Sequence, residues 1–237
     1  DARFATIRGA IRLLLGLVSL LLLVVVPIVL AFLAALPFTG LAALWKTGHA
    51  TAGLIAASIV LLTLINCHFQ AGDLEPGRSK LFVWARYGAA FTLVPLLALA
   101  ATGLSLRVAQ YGWTPARIVG LGCLIVLACH TLGYALVAIR HGLGLRGLAT
   151  ANAWAAFAAI AIALAFLSPI ADPARLFVAD QLRRLERGAV TAEDFDYYAL
   201  RAEGAGYGWA ALERMRDRRD GPDASEIAKG AKRALEN

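Results

Sequence analysis

The sequence predicts an all-α protein, with a polytopic transmembrane helix bundle of about five spans over residues 1–170 and a small extramembrane helical domain over 171–237. Three observations carry that expectation. Hydrophobic residues make up 59% of the 237, and mean hydropathy is +0.67, a composition outside the range of soluble domains. Five runs contain no Asp, Glu, Lys or Arg, namely 13–45, 47–72, 87–106, 118–139 and 147–171, of lengths 33, 26, 20, 22 and 25. Each is long enough to cross a hydrocarbon core of about 30 Å as a helix of roughly 20 residues, and continuous runs do not show the ten-residue alternation of a barrel strand. Charge is also divided: residues 1–168 hold 11 basic and 3 acidic groups, whereas 169–237 hold 12 and 13. The net +7 therefore belongs to the apolar part, where basic residues bracket greasy runs. This argues against a nucleic-acid partner, which needs its cations on a soluble face, and leaves the lipid bilayer as the first partner.

The spans are expected near 12–36, 49–68, 82–104, 116–139 and 148–168. The first run is too long for the apolar region of a secretory signal and is read as a permanent span. A chain opening on Asp1 rather than Met suggests a longer polypeptide with further spans upstream. Pro27 and Pro95 each remove one intrahelical hydrogen bond, and each is expected to bend its helix as a packing feature. Arg86 is the one charge able to sit at depth, and its place near a helix end favours snorkelling to the headgroups. Ala151, Ala155, Ala159 and Ala163 make a small-residue face on the fifth span for close helix packing. Arg3, Arg8, Arg12, Arg78, Lys80, Arg86, Arg140 and Arg146 collect on one side, against Lys46, Arg107 and Arg117 on the other. The positive-inside rule then puts the N-terminus in the cytoplasm and the tail outside it.

No nucleophile elbow, Walker loop, dinucleotide fingerprint or HExxH motif is present, so the chain is not expected to be an enzyme and no cofactor is expected. Cys67–His68 and Cys129–His130 are the only metal or haem candidates. Neighbouring helical residues point about 100° apart, so each pair offers at most one good ligand, and the simpler reading is packing cysteines with hydrogen-bonded histidines. His130, Tyr134 and Asn152 form a candidate intramembrane polar cluster, and no carboxylate lies in any of the five runs.

The segment from Arg107 to Arg117, with Gln110, Tyr111, Gly112, Trp113, Thr114 and Pro115, links the third and fourth spans. Tyr111 and Trp113 suit the membrane interface, Gly112 suits a turn, Thr114 can cap the fourth helix and Pro115 can occupy its first position. Together with Pro37-Phe-Thr-Gly-Leu41 through Trp45, Asp172-Pro-Ala-Arg-Leu176, and Asp194-Phe-Asp-Tyr197 with Leu200, this turn makes the chain resemble a bacterial family of multi-pass membrane proteins, the domain of unknown function 4153. The likeness covers essentially the whole chain, looks like the C-terminal half of longer members, and has QYG-x-TP as its most specific part. It implies residence in the bacterial inner membrane and carries over no catalytic residue.

In the tail, Asp172 before Pro173 starts a helix with Val178, Leu182 and Leu185 inward and Gly188 at its end. Thr191 and Asp194 imitate a capping box that would open a second helix bearing Phe195, Tyr198 and Leu200. A third is expected over 207–219 with Trp209, Leu212 and Met215 inward, and a fourth over 224–235 with Ile227, Ala231 and Leu235. The leading functional expectation is a non-enzymatic envelope module whose residues 172–237 serve interaction or sensing with other envelope proteins. A transporter or flippase fragment, with a water-filled cavity at His130, Tyr134 and Asn152, is the alternative, and a haem or metal redox protein the third. Reporter fusions at Asn237 test the orientation: an enzyme active only outside the cytoplasm should be active there, and a fluorescent protein that folds only in the cytoplasm should stay dark.

Overall fold

The computed structural model describes residues 2–72, 80–141, 147–221 and 223–236, and among them every regular element is an α-helix. Eleven helices are described: α1 (Ala2–Leu20), α2 (Leu22–Thr39), α3 (Leu41–Lys46), α4 (Ala50–Gly72), α5 (Lys80–Tyr111), α6 (Pro115–His141), α7 (Leu148–Phe166), α8 (Pro173–Glu186), α9 (Tyr197–Glu203), α10 (Ala205–Arg216) and α11 (Ala224–Glu236). Five stretches are long and apolar enough to cross a membrane: Gly9–Thr39, Ala50–Phe69, Tyr87–Tyr111, Pro115–Val137 and Leu148–Phe166. The chain forms two compact units, Asp1–Gly103 with Cys123–Ala159, and Leu104–Gly122 with Ile160–Asn237.

In the first unit the helices bury narrow stripes and leave the rest apolar and exposed, as helices surrounded by lipid do. On α2, Leu22, Val26 and Val29 are buried, while Val24 and Ile28 are outward. On α4 the stripe is Leu54, Ser58, Leu61, Ile65 and His68, and on α5 it is Ala85, Ala89, Thr92, Leu96 and Ala100. Small residues set the closest approaches. A Cβ added at Gly88 would stand 2.7 Å from Val26 Cγ1, and one at Gly133 would stand 2.9 Å from Ala151 Cβ. The Ser58 hydroxyl bonds back to Leu54 O and that of Thr92 to Ala89 O, so neither of these buried donors is stranded.

The first span consists of two helices: the break falls at Leu21, and Pro27 lies within α2. The break lies between the Ser19 hydroxyl, which bonds Gly16 O, and the Leu23 carbonyl, for which Pro27 can supply no amide. Pro95 likewise lies within α5, where its missing amide leaves the Phe91 carbonyl without its helical partner. After Pro37 the chain ends α2 at Gly40, at φ +75°, and forms the short α3 that the sequence did not suggest. On α7, Ala155 is fully buried but Ala163 is exposed, because a four-residue spacing drifts about 40° per step around a 3.6-residue helix. Arg78 and Arg146 lie outside the described residues, as do the side chains of Arg3, Arg8, Arg12, Lys80 and Arg86.

In the second unit the tail helices share one core with the start of α6, in which Ile118, Phe177, Val178, Phe195, Tyr197, Leu200, Leu212, Met215, Ile227 and Ala231 are buried together and Trp113 and Phe166 pack against them. Asp172 caps α8 by accepting from Ala174 N and Arg175 N, worth about 1 kcal/mol. Gly188, at φ +68°, ends it: its amide bonds Leu185 O while Ala189 N bonds Arg184 O, the paired bonds of a Schellman stop. Leu182 and Leu185 are partly buried, and Phe177 is the larger anchor.

The Thr191–Asp194 pair does not open a helix. It closes a turn, with the Thr191 hydroxyl donating to Asp194 Oδ2 and Asp194 N donating back. The cap of α9 is Asp196, which accepts from Ala199 N at 2.8 Å. The start is therefore shifted, so Phe195 precedes the helix, Tyr197 is buried and Tyr198 is exposed. The Tyr197 hydroxyl donates to Ala192 O, and burial, with Glu226 and Asp223 nearby, pushes its pKa above the ordinary tyrosine value. On α10 the inward stripe is Gly208, Ala211, Leu212 and Met215, while Trp209 is outside under the Arg201 guanidinium, 5.2 Å from the ring centre. The α11 stripe is as expected, with Ile227, Ala231 and Ala234 buried and Leu235 packed beside them.

The crossing of α9 and α10 depends on glycine. A Cβ at Gly208 would meet Leu200 O at 1.9 Å, whereas one at Gly206 has nothing within 4 Å. Gly208→Ala should destabilise the tail by about 3 kcal/mol, and Gly206→Ala should stay within about 0.5 kcal/mol of the parent, as read by hydrogen exchange on the full chain.

Candidate functional site

Two polar assemblies stand out, one in each unit. In the first, Asn66 on α4, Tyr134 on α6 and Asn152 on α7 close a ring of hydrogen bonds. Asn66 Nδ2 donates to Tyr134 Oη at 2.8 Å, Tyr134 Oη donates to Asn152 Oδ1 at 2.8 Å, and Asn152 Nδ2 donates to Asn66 Oδ1 at 2.5 Å. Asn66 also donates to Leu62 O, and Tyr134 is 4% exposed. Each ring member therefore both gives and receives, which is what a buried polar group in an apolar bundle requires.

Of the expected cluster, Tyr134 and Asn152 are brought together and His130 is not in the ring. His130 Nδ1 lies 3.0 Å from Val126 O of its own helix, to which it donates, and its ring meets Tyr134 edge-on at 6.0 Å. Asn66 was missed. An asparagine inside the second apolar span, matched by another at Asn152, was the available signal.

The four metal candidates are placed separately in kind. His68 is buried and stacked on Phe82 at 4.9 Å, Cys67 and Cys129 are half-buried free thiols, and His130 is bonded as above. Among the described residues no three His, Cys, Asp or Glu side chains gather as a metal site would require.

The second assembly is the turn between α5 and α6. Arg107, Gln110 and Tyr111 belong to the last turns of α5, so the turn proper is shorter than the sequence suggested and comprises Gly112, Trp113 and Thr114. Gly112 stands at φ +77° and its amide bonds Val108 O, as a C-terminal glycine should. Thr114 Oγ1 accepts from Arg117 N and Pro115 takes the first helical position. Tyr111 lies beneath two guanidinium groups, Arg107 at 6.0 Å and Arg117 at 5.6 Å.

The backbone groups freed by the two helix ends are then taken up by one face of α8. Asp180 Oδ2 accepts from Trp113 N at 2.8 Å, Gln181 Nε2 donates to Trp113 O at 3.1 Å, and Arg184 Nη2 donates to Gln110 O at 3.3 Å. Arg117 Nη1 donates to Gly112 O at 2.6 Å. Asp180, Gln181 and Arg184 were not singled out in the sequence, although their i, i+1, i+4 spacing on the flank of an amphipathic helix is the pattern that puts them on one face. Beside this clamp lies a cavity of about 320 Å³, bordered by Tyr111, Arg117, Phe177, Arg184, Asp194 and Asp196. A smaller one of about 200 Å³ lies between α8 and α10, bordered by Glu186, Arg214 and Arg218.

Replacing Tyr134 by Phe should break two ring bonds and leave an amide donor and an amide acceptor unmatched in the apolar bundle. The expected loss is about 1–2 kcal/mol in mixed-micelle unfolding. Thr63→Val should be close to neutral, since that exposed hydroxyl bonds only Ile59 O.

A family model, that of a domain of unknown function (DUF4153), matches residues 2–207. No curated protein matches the chain. No solved structure matches it either.

Proposed function

The chain belongs to the DUF4153 family, a domain of unknown function, and from that premise we propose that it is a non-enzymatic integral membrane module of the bacterial envelope with a folded tail for interaction or sensing. The N-terminus is cytoplasmic and residues 172–237 are extracytoplasmic, where they meet other envelope proteins. The observation that carries this reading is the clamp: the folded tail packs its core around Ile118 of α6 and is bonded through Asp180, Gln181 and Arg184 to the turn between two apolar helices. A module so tied can pass a binding event on the tail into the ends of α5 and α6. Tyr207 and Trp209 stay on the tail's surface, 39% and 43% exposed, and aromatic side chains of this kind are favoured anchors for partners. The transporter alternative draws less support, because Tyr134 and Asn152 spend their polar groups on Asn66 and on each other.

Photo-crosslinking groups placed at Tyr207 and Trp209 in the full chain should give discrete protein adducts in cells. The same group at lipid-facing Ile28 should not. Absence of adducts from the tail, together with wild-type behaviour after deletion of 172–237, would overturn the interaction role.

A further inference from the structure

The cavity beside the turn holds charges of both signs that do not neutralise one another. Arg117, Arg184, Asp194 and Asp196 all border it, and none of the ion pairs among the described residues joins either arginine to either aspartate. Opposite charges around one small space ordinarily close on each other unless the backbone holds them apart. Here it does. Arg117 is held by Gly112 O and Arg184 by Gln110 O, while Asp196 is committed to the cap of α9 and Asp194 to Thr191.

Each group keeps bonding capacity for something else. The buried Nε of Arg184 finds no acceptor among the described residues. Each carboxylate uses one oxygen in the contacts just named, leaving Asp194 Oδ1 and Asp196 Oδ2 without a bond among the described residues. The lining balances two positive against two negative charges, which suits a zwitterion better than a bare anion. Its position narrows the choice further. The apolar stretches end at Tyr111 and resume at Pro115, so a bilayer crossed by these two helices would set its headgroups beside the cavity, next to an exposed tyrosine of the kind favoured at that depth. A volume of about 320 Å³ is at the small end of ligand pockets, which run from about 300 to 1,000 Å³.

We propose that this cavity is a binding site for a zwitterionic phosphodiester headgroup bearing a primary ammonium, the chemistry of a phosphatidylethanolamine. The guanidinium groups of Arg117 and Arg184 take the phosphate, for which their planar donor forks are suited. The free oxygens of Asp194 and Asp196 accept hydrogen bonds from the ammonium. A phosphatidylglycerol lacks the cation, and a phosphatidylcholine carries a methylated one that cannot donate. The inference rests on the cavity and on its place beside the ends of two apolar stretches, not on the tail's proposed interaction role.

The test uses the full chain in detergent, incubated with equal amounts of the three lipids carrying the same acyl chains, with bound lipid counted per protein after gel filtration. Phosphatidylethanolamine should be retained at least tenfold over each of the others. Arg184→Gln should reduce that retention at least tenfold, whereas Arg218→Gln, at the other cavity, should leave it unchanged. Soluble glycerophosphoethanolamine separates the two sources of this chemistry: displacement at millimolar concentration assigns the site to the headgroup alone, and persistence of the lipid assigns it to the whole molecule. Equal retention of the three lipids overturns the proposal, as does an Arg184→Gln protein that melts like the parent and binds like it. Where Arg184→Gln fails to fold, the ranking of headgroups on the unaltered protein still decides.

Discussion

Three residues of turn between two apolar helices hold the second unit together. Where α5 stops and α6 starts, carbonyls and amides are released from intrahelical bonding, and each must find a partner. Gly112 returns the chain to Val108 O, Pro115 has no amide to satisfy, and Thr114 takes up Arg117 N. What is left goes to side chains: Asp180 takes Trp113 N, Gln181 and Arg184 serve the carbonyls of Trp113 and Gln110, and Arg117 serves Gly112. Bonds to charged groups contribute about 1.5–3 kcal/mol each, more than most single contacts on an exposed helix. The orientation of α8 on this turn, and hence the cavity that Arg117 and Arg184 share with Asp194 and Asp196, follows from it.

The same bonds constrain topology. The turn after α5 and the middle of α8 meet directly, so the chain that runs out through α6 comes back through α7 to the turn it left. That agrees with counting two spans between residues 115 and 166. The polar ring in the first unit plays a comparable part. Three side chains on three helices fix one another's rotation, because any turn of α4, α6 or α7 about its axis would pull an amide or a hydroxyl away from its partner across the bundle in an apolar setting.

Local signals were read well where local chemistry decides. Asp172–Pro173, Gly188, Thr114–Pro115 and Gly112 do what their side chains or missing side chains dictate, since a cap or a positive φ involves only a few neighbours. Thr191–Asp194 misled because the same side-chain bond closes a turn as readily as it opens a helix, and Asp196, two residues on, offered a better cap for α9. Trp209 misled for a different reason. Size suggested a core residue, but the α9–α10 crossing is so close that only Gly208 fits at the contact, and this rotates Trp209 outward.

From composition and spacing alone, the chain was determined to be all-α, with five apolar stretches of membrane-crossing length, a charge-balanced helical tail and a short re-entry turn. These depend on hydrophobic period, on charge-free length and on residues adjacent in the chain. Tertiary structure alone decided that Asn66 closes a ring with Tyr134 and Asn152, that α8 holds the turn, and that four charges border one cavity without pairing. The physical reason is rotational. A sequence period establishes that a helix forms, but the angle at which each helix faces its neighbours is set by packing between residues far apart in the chain, and every one of these contacts depends on that angle.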